Sequence, residues 1–130
     1  MKENLALTTD NRRLIHKTPC NECPWRKVSA QGYLGGHDPQ WYADVVQDNQ
    51  VPSCHLRDHG PENPDTAYCV GALHTAANGC IMPSDARECE ARNQVGPNPD
   101  CFGHPSLFYA YHTFGGRYIS RLMRLMGVTA

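Results

Sequence analysis

No stretch of this 130-residue chain is apolar for long enough to cross a bilayer. Its first ten residues hold no apolar run either, so a secretory leader is not expected. The expectation that follows is a cytoplasmic protein whose thiols stay reduced. Enzyme signatures are equally scarce. No serine lies in a nucleophile elbow, no pair of acids stands in a recognisable arrangement, and no glycine-rich nucleotide fingerprint is present. Zinc deaminase chemistry would need His-x-Glu ahead of Pro-Cys-x-x-Cys. The chain has Pro19-Cys20-Asn21-Glu22-Cys23 with no such partner before it. Aromatics make up 8% of the residues, and Tyr109, Tyr111 and Tyr118 are not interleaved with cations as a single-strand stacking platform would be. Mean hydropathy is clearly negative, so the apolar core is modest, and small domains of that kind commonly need a staple.

What the chain has in quantity is cysteine, proline and glycine: seven, ten and eleven residues. Cysteine-rich patterns in a reducing compartment point to metal more often than to disulfides. In a secreted chain, three disulfides and a spare thiol would be the alternative. The sharpest motif is Thr18-Pro19-Cys20-Asn21-Glu22-Cys23-Pro24-Trp25-Arg26. Two cysteines separated by two residues bring both sulfurs onto one metal through a tight turn, and the flanking prolines stiffen it. A redox dithiol should follow a buried strand and open a helix. His16-Lys17-Thr18 lacks that apolar run.

One pair is half of a four-ligand site, and Cys54 and Cys69 are the candidates for the rest, in the spacing Cys20-x2-Cys23-x30-Cys54-x14-Cys69. Zinc ribbons usually present two such pairs. One pair plus two dispersed thiolates suits a [4Fe–4S] cluster, where each sulfur reaches a different iron. The cluster is therefore favoured, with zinc close behind. His55 and His59 are reserve ligands that would tilt the site towards zinc. His74, one turn beyond Val70, is a possible neighbour of the centre, although a helix-edge histidine is more often structural.

These motifs, Cys-x-x-Cys-Pro-Trp-Arg at 20–26, Cys54-His55 and Cys69-Val70-Gly71, resemble an uncharacterised cysteine-rich family of bacteria and their phages. The resemblance spans about residues 18–74. It implies that Cys20, Cys23, Cys54 and Cys69 form one site with Trp25 and Arg26 beside it, and it implies no activity. Beyond it lie Cys80, Cys89, Cys101 and His104, spaced as a loose three-cysteine, one-histidine set. A second metal there would explain how a long proline- and glycine-rich loop stays ordered. Buried thiols or a Cys80–Cys89 disulfide are the alternatives.

Local patterns place these motifs. Asp38-Pro39 predicts an N-cap and first helical position, opening a helix to about Asp48 with Trp41, Val45 and Tyr42 on its apolar face. The Gly35-Gly36-His37 run before it has no preceding strand and no following Lys-Ser/Thr, so it is an ordinary helix start. Asn63-Pro64 predicts a second helix to Ala77, stopped by Asn78-Gly79, with Cys69 on its inward face beside Val70 and Leu73. Shorter helices are expected over 86–93, capped by Ser84 or Asp85, then 105–114 and 117–126. The expected architecture is a small, helix-rich α+β single domain with irregular loops, stabilised by metal or cluster. Residues 1–17 form an arm, 18–130 the domain, 79–104 a loop-rich insertion and 105–130 a terminal helical pair.

Charge divides along the chain. Residues 1–28 carry six Lys/Arg against three acids, and 105–130 carry three arginines and no acid. The middle carries ten acids against three arginines. Arg117, Arg121 and Arg124 share one helical face and are the candidate contacts for nucleic acid or an acidic host protein. A solvated helix face is the plainer explanation. The function expected is a metal-binding interaction module of phage or bacterial origin. The alternative is an iron–sulfur enzyme or redox protein acting in nucleic-acid processing.

Overall fold

The structure, a computed structural model, describes residues 10–19, 21–115, 117, 121, 124 and 125. These contain helices α1 (Pro39–Gln47), α2 (Val70–Asn78), α3 (Ala86–Val95) and α4 (Pro105–Phe114). Arg117, Arg121, Arg124 and Leu125 are also helical. Extended structure among the described residues is limited to three isolated bridges, Arg13 with Ala67, Arg26 with Cys101, and Ser53 with Tyr68. The protein is small and helix-rich.

Each helix begins where local chemistry satisfies its orphan N–H groups. Asp38 accepts from the Trp41 N–H at 2.9 Å, and Pro39 occupies the first turn. Asp85 accepts from the Arg87 and Glu88 N–H groups and starts α3. His104 starts α4, its Nδ1 accepting from the Ser106 N–H. At the C-termini of α1 and α2 the closure is a Schellman motif. Asn49 and Cys80 take the left-handed conformation, at φ 66° and 58°. Gln50 N–H donates to Val45 O and Ile81 N–H to Ala76 O.

The second helix is shorter than its sequence pattern predicts. Residues 64–69 stay out of it because tertiary partners claim their backbone. Tyr68 N–H donates to Arg13 O, Cys54 N–H to Ala67 O, and Cys69 N–H to Pro52 O. Asn63 turns back on the Asp65 N–H, and Thr66 Oγ1 donates to Gly60 O. Cys69 is consequently the N-cap residue of α2 and not a side chain on its face.

The core is assembled by α1 packing on α4 and α2 on α3. The larger cluster joins Trp25, Tyr42, Val46, Ala72, Ala76, Phe102 and Phe108, and Trp25 stacks on Phe108 at 3.8 Å between centroids. Helix α1 buries Tyr42, Ala43 and Val46, whereas Trp41, expected inside, is 40% exposed. A smaller cluster holds Val51, Tyr68, Leu73 and Ala91, with Leu14 against it. The described part of the expected arm is thus stitched into the fold. Arg12 donates to Val51 O and to Glu88 at 2.8 Å, and Asn11 N–H donates to Pro61 O.

Candidate metal centre

The turn carrying Cys23 is fixed from several directions. Arg26 N–H donates to Cys23 O, and the Arg26 guanidinium donates to Pro19 O at 2.7 Å. Pro24 O accepts from Ser29 Oγ and from His112 Nε2 at 2.7 Å. The other ring nitrogen of His112 accepts from the Gly32 N–H. That pattern requires a neutral imidazole, and burial holds the His112 pKa below its usual value. Trp25, 1% exposed, locks the next position against Phe108.

Onto this turn comes the N-terminus of α2. Gly71 makes the approach possible: a Cβ there would overlap Cys23 Sγ and stand 2.7 Å from Trp25 Cβ. Cys23 and Cys69, both buried, interact through their sulfurs. The interaction with Cys69 lowers the Cys23 pKa. Burial opposes this, while the N–H groups of Trp25 and Gly71 and the Arg26 charge assist. Cys69 is raised correspondingly, by Cys23 and by burial, with the Ala72 N–H acting the other way. Within the pair, ionisation is thus favoured at Cys23 over Cys69. Cys54, also buried, is close enough for its charge to act on Cys69. Backbone N–H dipoles directed at sulfur are what a thiolate ligand needs in a site from which water is excluded.

Cys20 lies outside the described residues, as do residues 1–9 of the arm and most of the terminal helix. Among the described residues no group of three or more His, Cys, Asp or Glu is arranged to hold a metal ion. Of the expected four ligands, Cys23 and Cys69 meet, with Cys54 near them. The reserve ligands are placed elsewhere. His55 packs edge-on against Tyr33, and His59 is exposed. His74 bonds through Nδ1 to Gly96 O at 2.7 Å and ties α2 to the end of α3.

Cys80, Cys89, Cys101 and His104 are all described and do not gather into such a group. Cys80 is exposed at the end of α2, and the Cys89 thiol donates to Pro83 O. Cys101 is fully buried, and burial pushes its thiol up to about 12. His104 is spent on capping α4. The loop they occupy is ordered by Asn78 instead, whose side chain donates to Asn98 O, Cys101 O and Phe102 O and accepts from the Asn98 N–H. Arg117, Arg121 and Arg124 are exposed and helical, as their spacing predicts.

No protein-family model, curated protein or solved structure matches this chain.

One contributor escaped the sequence pattern and another was only partly signalled by it. His112, 88 residues from Pro24, braces the cysteine turn, and nothing in its local sequence signals that. Gly71 was visible as part of Cys-x-Gly, and a glycine two residues after a candidate ligand is a usable signal for close backbone approach.

Proposed function

We propose that Cys20, Cys23, Cys54 and Cys69 hold a metal centre that staples the fold, and that the protein is a metal-stabilised interaction module of phage or bacterial origin. The observation that carries this reading is the meeting of Cys23 and Cys69 at the glycine-opened N-terminus of α2, with N–H groups aimed at both sulfurs. Cys20 belongs to the same turn as Cys23 by sequence, and Cys54 is fastened to the segment preceding α2 through Ala67. Ligands arriving as one pair and two singles favour a [4Fe–4S] cluster, which would supply cross-linking and a redox-active inorganic core. A zinc ion is the second reading. The Cys23–Cys69 contact favours it, because two thiolates on one tetrahedral ion lie about 3.8 Å apart at Zn–S distances of about 2.3 Å.

The partner surface in this reading is the basic helical face of Arg117, Arg121 and Arg124, directed at nucleic acid or an acidic host protein. The resemblance to a cysteine-rich family of bacteria and phages supports the ligand set and the origin. Metal analysis and absorption spectra of protein purified without air test the centre. Iron with sulfide and a broad band near ~400 nm identifies the cluster, and one zinc per chain identifies the ion. Cys54→Ser should lose metal and fold together, since ligand binding at such sites is folding free energy. Full metal content in that variant would remove Cys54 from the centre.

A further inference from the structure

A second site lies between the start of α1 and the segment 50–61. It is a half-open cleft of about 490 Å³, within the range of small-molecule sites. Its lining includes His37, Trp41, Gln50, Ser53, His55 and Asp58. One wall is aromatic. Trp41 is 40% exposed, and His37 stacks on it at 3.7 Å with the planes 14° apart. A solvent-facing indole braced by a parallel ring is a rigid platform for another flat ring.

The polar groups sit opposite a largely neutral surround. His55 Nε2 is buried and has no hydrogen-bond partner, a costly arrangement that calls for an explanation. Asp58 accepts the Gly60 N–H on Oδ1, and among the described residues nothing donates to its Oδ2. Among the described residues of the lining the Lys/Arg cation is Arg12, and its guanidinium is committed to Asp10, Glu88, Val51 O and Ser53 Oγ. Among the described residues the cleft therefore offers stacking, one carboxylate acceptor and one imidazole nitrogen, with no spare guanidinium or ammonium for a phosphate.

We propose that this cleft binds a nucleobase carrying an exocyclic amino group, stacked on Trp41, with its amino N–H donating to Asp58 and a ring or carbonyl atom meeting His55 Nε2. Carboxylates read such amino groups directly, whereas uracil and thymine present only a ring N–H. The assignment goes beyond the metal centre and does not rest on it.

The test is an NMR shift titration of the protein as purified with adenosine, guanosine, cytidine and uridine, and with a short single-stranded DNA containing all four bases. Saturable shifts at α1 and 50–61 are expected for at least one amino-bearing nucleoside and not for uridine. Saturation by nucleosides marks a free base or nucleoside as the ligand, and saturation by the oligonucleotide alone marks a base within a strand. Trp41→Ala should weaken binding about tenfold or more. Asp58→Asn, at an exposed position, should shift preference towards uridine because an amide N–H donates to the uracil oxygen. Far-UV circular dichroism checks that both variants fold. Absence of saturable shifts up to about 10 mM of every probe, or binding indifferent to both substitutions, would overturn the assignment.

Discussion

Gly71 sets how closely α2 approaches the cysteine turn, and one methyl group decides the matter. Gly71→Ala drives a carbon into Cys23 Sγ and Trp25, both fixed by backbone and ring packing. Overpacking of that kind costs about 1–3 kcal/mol. The variant should show a lower denaturation midpoint and reduced metal content, read by urea titration and elemental analysis. Glu88 is the other residue whose environment has a measurable consequence. Burial raises its pKa from 4.5 to about 7 in spite of the Arg12 guanidinium 2.8 Å away. A carboxyl with a raised folded pKa contributes stability that is full below about 4.5 and is lost as pH rises through about 7. Glu88→Gln keeps an acceptor for Arg12 and removes that loss. Relative to the parent, the variant should gain about 1–2 kcal/mol between pH 5 and pH 8, measured by urea unfolding at both pH values. A difference that does not change with pH would show that Glu88 is ionised throughout.

Helix boundaries separate what neighbours in sequence decide from what distant partners decide. The starts of α1 and α4 were legible because Asp38-Pro39 and Pro105 act within a single turn, although His104, read as a candidate ligand, proves to be the cap of α4. The start of α2 was not: Asn63-Pro64 is a sound local helix signal, but Arg13, Pro52 and Cys54 hold 67–69 extended. That difference moves Cys69 from a helix face to the N-cap of α2, and brings the Gly71 N–H of the first turn to Cys23, whose pKa it helps to lower. The end of α2 carries a further consequence. Cys80, and not Gly79, takes the left-handed position, at φ 58°, while Gly79 is small because a Cβ would meet Gly103 O at 3.1 Å. Left-handed backbone costs a side-chain-bearing residue about 1 kcal/mol. Cys80→Gly should therefore stabilise the protein by roughly that amount, with unchanged metal content. Loss of metal in Cys80→Gly would instead restore the second metal set.

At the scale of the whole molecule, two compact clusters and a cysteine junction are held by side chains reaching across long sequence separations. Arg12 and Asn78 fasten the segments that carry little secondary structure. Arg117, Arg121 and Arg124 of the terminal helix are exposed. Changing Arg117, Arg121 and Arg124 together to Ala should leave the unfolding midpoint within about 0.5 kcal/mol. If the partner is single-stranded nucleic acid, the substitution should lower the salt slope of binding by about 2. Fluorescence anisotropy against salt concentration reads this, and an unchanged slope would assign the face to solvent. The sequence by itself determined the helix-rich class and the Asp38 and Asp85 caps, because each depends on residues within a few positions of one another. Only the tertiary structure decided that Cys69 meets Cys23, that His112 braces the turn and that Trp41 faces a cleft. Those outcomes depend on which distant backbone groups find hydrogen-bond partners, and no local pattern encodes that competition.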